Sequence, residues 1–370
     1  MNILVLASAA RESGALTIYR QFLSHLAEEA GSDRWYVVID SAMPCPEIAG
    51  VGYWKVELRS WRRRIAFDHG GCARLCRSHG VWPDVVVSLQ NTGCRLRPAP
   101  PQVIYYHNSL PFFRRRWNLL SRQEAILFLY AKVYPRFVAA TLNARTQVAV
   151  QIPFIKRGFV ERFGFAPERV HVLFPDVEAI DVAAVQPYPF RPGEVHLLYP
   201  ASFYTYKEHT TLVRAMARLL AQDASGRAAA IRIHLTLTRR EAPSLAEAAE
   251  RAGCAGAFVF EGRRPHAELL SMYKAADGLL FPSTVETLGL PLIEAARFGI
   301  PVVAADLPYA HEVVGGYEGA TFATARDADA WARQIDGLAR SRRRFAPLAA
   351  AEKSSWTDFF RLVREAPLRG

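Results

Sequence analysis

The sequence predicts an α/β protein made of two doubly wound units, and three observations carry that expectation. Short apolar runs alternate with amphipathic helical stretches along both halves, the pattern of parallel strands covered by helices. A proline-rich break containing Pro175, Pro187, Pro189 and Pro192 separates the halves. Gly278 to Ala305 reads as strand, glycine-containing loop, helix and strand, the layout in which an open α/β sheet binds a ligand beyond its strand ends. At 370 residues the chain exceeds one ordinary core. The expected boundaries are a first domain over 1–175, a linker over 176–195 and a second domain over 196–354.

In chain order, Asn2 to Ala7 is a buried strand, and Ser13-Gly14-Ala15 opens an amphipathic helix running to about Glu29. Trp35–Asp40, Asp84–Leu89, Val103–Tyr106, Val148–Gln151 and Val170–Phe174 continue the strands of the first half. Trp54 to Arg64 combines tryptophans with an arginine run. His196–Tyr199 starts the second series, with strands near 231–237, 257–260, 278–281 and 302–305 and helices near 208–222, 243–252 and 265–276. Two Rossmann-like domains facing each other across a cleft are the expected result.

Nine of the eleven net positive charges lie in residues 1–180, so the first half is the one suited to an anionic partner. Residues 111–139 place Arg114, Arg115 and Arg116 between aromatics, ahead of an apolar segment of helical character. That composition suits an interfacial helix on an anionic membrane surface, and equally a core helix with a solvated basic end. The arginines form one short block with no nucleic-acid-binding pattern around them, so no nucleic acid is expected. No apolar run approaches the ~20 residues that span a bilayer. The first residues enter a strand directly without a basic leader, and the expectation is a cytoplasmic protein with a peripheral place on the inner face of the membrane.

Five cysteines in a long chain make no disulfide framework. His69, Cys72, Cys76 and His79 share one face of a helix, but four ligands strung along one short helix do not readily close a tetrahedron. No metal is expected there.

The richest stretch is Phe281 to Gly315. Pro291 suits the first turn of a helix, Gly299 its end, and Pro301-Val302-Val303 the next strand. The first amides of that helix suit a phosphate. Glu286 in the loop and Glu294 inside the helix need donors such as sugar or ribose hydroxyls. The spacing fits a sugar nucleotide, and it fits an ordinary buried α/β unit with two acidic side chains equally well. His107-Asn108 also ends a strand, as a ligand group or as a simple strand-end cap.

Pro282-Ser283, Glu286, Gly289-Leu290-Pro291, Glu294-Ala295, Gly299-Ile300-Pro301-Val302-Val303 and Glu312-Val313-Val314 resemble the signature of glycosyltransferase family 4, retaining enzymes of the GT-B fold. The resemblance is strong over about 195–315 and only topological over most of 1–175. It implies a nucleotide-diphosphate sugar as co-substrate, no cofactor, and a hydroxyl acceptor. The basic, aromatic first half suggests that this acceptor is a lipid-linked oligosaccharide at the inner face of a membrane, which fits surface polysaccharide assembly.

The same resemblance assigns roles. Lys207 and the amides of Thr287, Leu288, Gly289 and Leu290 would meet the donor diphosphate. Glu294 would hold the ribose, and Glu286 the donor sugar. His107 would support that sugar, with Asn108 and Gly14 on the acceptor side, Gly14 matching a family glycine loop only loosely. The family's usual arginine before the lysine falls on Ser202, a departure, and Arg263 falls in the loop near the nucleobase. The helix over 355–370 would pack back onto the first domain. With no second carboxylate in a nucleophile position, retention by same-face attack guided by the leaving phosphate is favoured over a covalent intermediate. Two alternatives are a GT-B sugar-nucleotide 2-epimerase, which the paired glutamates oppose, and a non-catalytic sugar-nucleotide-binding module, which only Ser202 favours.

Overall fold

Runs such as Val85-Val86-Val87 and Val103-Ile104-Tyr105 are apolar at every position, and such strands are stable only inside a parallel sheet covered on both faces. The computed structural model contains two such sheets. It describes every residue except Glu12, Arg59, Glu178, Ala179, 350–354, Arg369 and Gly370, so the expected domain end at 354 and the last two residues of the expected C-terminal helix lie outside the described residues.

The chain divides into two compact units, Met1–Asp176 with Glu352–Gly370, and Val177–Ala351. The first holds a seven-stranded parallel sheet: β1 (Asn2–Leu6), β2 (Arg34–Asp40), β3 (Val51–Val56), β4 (Val85–Ser88), β5 (Gln102–Tyr106), β6 (Thr146–Val150) and β7 (Val170–Val172), in the order β3-β2-β1-β4-β5-β6-β7. The second holds six: β8 (Val195–Tyr199), β9 (Ile231–Leu235), β10 (Phe258–Phe260), β11 (Gly278–Phe281), β12 (Val302–Ala305) and β13 (Ala320–Ala323), in the order β10-β9-β8-β11-β12-β13. The winding reverses between β1 and β4 in one sheet and between β8 and β11 in the other. At such switch points the loops leaving neighbouring strands diverge and open a crevice.

The Trp54–Arg64 stretch is not one feature. Its first residues finish β3, paired with β2 at Val38↔Trp54. Arg59 lies outside the described residues, and Ser60 then caps a new helix, its Oγ accepting the amide of Arg63 at 3.3 Å. That helix, Trp61–Ala66, runs through a π-turn at Phe67–Gly71 into Cys72–Ser78. The cysteine–histidine face is spent on packing. Cys72 Sγ donates to Cys94 Sγ at 3.3 Å, and His79 stacks on Trp54 at 4.2 Å. The Cys76 thiol is pushed up by its contact with Cys72 and by burial.

Of the expected linker over 176–195, residues 180–195 belong to the second unit. Tyr188 N donates to Ser271 O at 3.0 Å, and Phe190 stacks on His196 at 4.3 Å. The C-terminal helix Trp356–Glu365 packs in the first unit, Trp356 stacked on Tyr105 at 5.5 Å and Phe360 on Phe22 at 5.4 Å. No helix among the described residues is long and apolar enough to cross a membrane.

Candidate functional site

The second unit gathers its candidate residues at the β8/β11 switch point. After β11, Pro282 and buried Ser283 turn the chain, and the Tyr309 hydroxyl fixes the turn by donating to Ser283 O at 2.6 Å. Thr284 is then tied to the loop after β8, its amide donating to Tyr206 O at 2.8 Å and its hydroxyl at 3.0 Å. From the other side, the Tyr199 hydroxyl donates to Lys207 O.

These ties bring Lys207 Nζ onto Glu286 Oε1 as an ion pair, with side chains only 16% and 13% exposed. The ammonium also lies 5.6 Å from the Tyr206 ring and 5.8 Å from that of Phe281. Two residues 79 positions apart thus form one unit.

The helix start lies beside them. Gly289 takes φ +73, and a Cβ there would meet Leu292 Cδ1 at 3.2 Å and Phe281 Cε1 at 3.3 Å, so glycine is required twice over. Helix Leu290–Arg297 follows with no side-chain cap, and the first amide bonded back is that of Leu292, to Gly289 O at 2.9 Å. The amides ahead of it have no acceptor within the helix, which leaves partial positive charge directed out of the loop.

Glu294 projects from the same helix and is buried, with Oε1 3.2 Å from His266 Nε2. Burial, and then the charge of Glu294, pushes the Tyr273 phenol well up. His266 was not anticipated; a histidine opening a helix 28 residues upstream carries no signal of its own. Ser202 is exposed, its carbonyl accepting the amide of Tyr204 at 3.0 Å. The arginine that does reach this loop is Arg326, whose Nε donates to Glu208 Oε1 at 2.7 Å, beside Lys207 in sequence. Arg263 is exposed, whereas its neighbour Arg264 holds Glu261 at 2.5 Å and Glu268 at 3.2 Å.

The first unit has its own pocket, of about 240 Å³, lined by Ala9, Ala15, Arg64, Asn91, His107 and Asn108 among others. Asn91, at φ +68, accepts the His107 amide on Oδ1 at 2.7 Å. Burial, then the nearby Arg64 charge, lowers the His107 pKa to about 4, so the ring is neutral at physiological pH. Its Nδ1 has no hydrogen-bond partner among the described residues, and neither has Asn108 Nδ2.

Gly14 is the second residue of helix Ser13–Glu29, exposed, and a Cβ there would meet nothing within 4 Å. One expectation needs correction. The arginine block is not three equivalent membrane-facing cations. Arg115 Nη2 pairs with Glu124 Oε1 at 2.8 Å, both side chains 9% exposed, and Arg115 lies over Trp117 at 5.4 Å. Arg114 and Arg116 remain exposed, in an irregular segment ahead of helix Arg122–Phe128 and not on it.

Residues 184–351 match the glycosyl transferases group 1 family. Similar curated proteins include the D-inositol 3-phosphate glycosyltransferases of Rhodococcus opacus (strain B4), 28% identical over 53% of this chain and 47% of its own length, and of Nocardia farcinica (strain IFM 10152), 33% identical over 41% and 35%. The chain thus spans about half or less of the length of these relatives. Among solved structures, sucrose-phosphate synthase from Thermosynechococcus elongatus superposes with TM-score 0.65 at 15% identity, over 100% of this chain and 94% of that one. WaaG, a glycosyltransferase involved in lipopolysaccharide biosynthesis, gives 0.62 at 17%, over 92% and 93%. Anabaena Alr3699/HepE in complex with UDP and glucose gives 0.60 at 15%, over 92% and 90%. With its two parallel sheets, the chain has the α/β two-domain GT-B fold.

Proposed function

We propose that this chain is a retaining glycosyltransferase of family 4, moving a sugar from a nucleotide-diphosphate donor to a hydroxyl acceptor. The observation that carries the reading is the Lys207–Glu286 pair beside the uncapped start of helix Leu290–Arg297, within the stretch that matches the group 1 family. A leaving diphosphate develops charge as the glycosidic bond breaks, and fixed donors at that position lower the barrier. Lys207 and the amides from Thr287 to Leu290 are those donors. Glu294, held by His266, accepts from the ribose hydroxyls.

Lys207 has two partners in turn. Without donor it is held by Glu286; with donor the phosphates draw it away, and Glu286 is released to the sugar hydroxyls. Loading thereby exchanges the Lys207–Glu286 pair for a Lys207–phosphate pair, and the neutral sugar hydroxyls donate to the carboxylate that has lost its cation. His107, neutral and open at Nδ1, offers a hydrogen bond to a hydroxyl and carries no charge of its own. The reaction so drawn takes no metal, since Lys207 and the helix start meet the diphosphate. The UDP and glucose of the HepE complex support a sugar nucleotide as donor.

For the acceptor we favour a lipid-linked oligosaccharide of surface polysaccharide assembly, reached from the cytoplasmic membrane face. Exposed Arg114 and Arg116 meet the lipid phosphates there, and Leu120, 98% exposed, inserts beside them.

The test is NMR of the sugar released when the protein slowly hydrolyses an α-linked nucleotide sugar. An α product formed first is expected. A β product contradicts retention, and an isomerised sugar nucleotide establishes the epimerase instead.

A further inference from the structure

Beside the His107 pocket lies a second cavity of about 290 Å³ with a different character. Its walls are Trp61 and Ile65 from helix Trp61–Ala66, and Ile126, Leu129, Val133 and Phe137 from the helical segment running from Arg122 to Thr141. Asp68 and Thr92 add polar atoms away from the neck, and these are hydrogen-bonded within the fold, the Thr92 hydroxyl donating to Asp68 Oδ2 at 2.8 Å and Gln90 Nε2 to Asp68 Oδ1 at 3.3 Å. At the mouth, Trp61 is 57%, Ile126 46%, Leu129 48% and Tyr130 40% exposed. Apolar side chains that could cover one another are instead left facing water around an opening, which marks a binding surface.

The two cavities are continuous in their lining, for Arg64, Tyr130 and Tyr134 line both. Arg64 is the charged group at that neck. It is half-buried, makes no side-chain hydrogen bond or ion pair among the described residues, and its Nε is buried without a hydrogen-bond partner, while its charge acts at longer range on the buried Asp68 carboxyl of the same slot. A guanidinium with no direct partner at the junction of an apolar slot and a polar pocket matches an anion that carries a hydrocarbon tail. The surplus of positive charge in residues 1–180 favours the same sign of ligand.

Resting on the glycosyltransferase reading, we infer that the acceptor is a phosphate-bearing lipid whose hydrocarbon enters this slot. Arg64 holds its phosphate at the neck, and its polar end reaches the pocket of His107 and Asn108. The volume lies near the lower end of pockets that take small organic ligands, ~300–1,000 Å³, and suits one chain near its head group.

The test is calorimetric titration of the whole protein with dodecyl phosphate below its micelle concentration, against dodecyl maltoside and inorganic phosphate. Dodecyl phosphate should bind one per chain and inorganic phosphate should not bind. Leu129→Glu and Ile126→Glu, both at the exposed mouth, should each weaken it at least about tenfold without lowering the melting temperature. Arg64→Gln should remove the preference for dodecyl phosphate over dodecyl maltoside. Binding that ignores the mouth substitutions, or an Arg64→Gln loss equal for both amphiphiles, overturns the inference. Nucleotide binding is read separately on the same preparation. Nucleotide without amphiphile binding overturns the lipid slot and leaves the transferase standing; amphiphile without nucleotide binding leaves the slot and overturns its role as an acceptor site.

Discussion

The Lys207–Glu286 pair makes a prediction that runs against the usual expectation for a binding-site substitution. Replacing Glu286 by Gln keeps the shape and removes the charge that competes with phosphate for Lys207. At the effective dielectric of a partly buried site, two unit charges in contact attract by about 4 kcal/mol before desolvation is counted. With both side chains about five-sixths buried, desolvation cancels much of this, and ~1–2 kcal/mol of competition remains. Glu286→Gln should therefore bind a nucleoside diphosphate about tenfold more tightly than the parent protein. On the proposed reading, in which Glu286 orients the sugar, transfer should fall about a hundredfold, because the amide is a weaker acceptor than the carboxylate. Calorimetry with UDP, GDP and dTDP reads the first effect and product formation the second. A variant that binds the diphosphate more weakly, or equally, refutes the exchange of partners at Lys207.

Gly289→Ala should cost about 1–3 kcal/mol by denaturant unfolding, from the positive φ and the contacts with Leu292 and Phe281, while Gly14→Ala should be neutral or stabilising by up to ~1 kcal/mol. Arg115→Met leaves Glu124 buried without its cation and should destabilise the fold by about 3 kcal/mol, whereas Arg114→Glu with Arg116→Glu should leave the melting temperature unchanged and abolish flotation with anionic vesicles. His107 and His209 have pKa values pushed down to about 4 and about 3, each by burial and then by a nearby cation, so the unfolded chain binds their protons first. Their contribution to stability is fully present above the unfolded value, about 6.5, and is lost as pH falls toward 4 and 3; His209→Leu should flatten that part of a melting-temperature profile. Transfer should continue in excess EDTA; a requirement for added divalent metal contradicts the role given to Lys207.

The second unit was legible in sequence because glycine and proline punctuate it. Gly289, Pro291, Gly299 and Pro301 bound one helix and the next strand, and β11, helix Leu290–Arg297 and β12 fall where those residues place them. What no local pattern carries is pairing across distance. Nothing near Lys207 announces Glu286, and nothing near Glu294 announces His266, because each contact is made by loops that meet only once the sheet has formed. Edge strands were harder still. In β3 the residues Val51 to Val56 are mostly half-buried and mix Gly and Lys with aromatics, so the strand period is weak beside the arginines that follow. Arg115 shows the limit of reading charge from composition: three consecutive arginines look equivalent, and only Glu124, nine residues on and itself buried, distinguishes the middle one.

On the proposed reading, the β8/β11 switch point binds a nucleotide sugar through Lys207 and Glu294. The most direct measurement is the melting temperature with millimolar UDP, GDP, dTDP and their sugar conjugates, for the parent protein and for Lys207→Ala and Glu294→Ala. A ligand at a hundred times its dissociation constant adds ~2.7 kcal/mol to stability, well within reach of the method. Stabilisation by the nucleotides of one base, lost in both variants, is the predicted result. If no nucleotide raises the melting temperature, or if both variants respond as the parent does, the assignment of this site is contradicted.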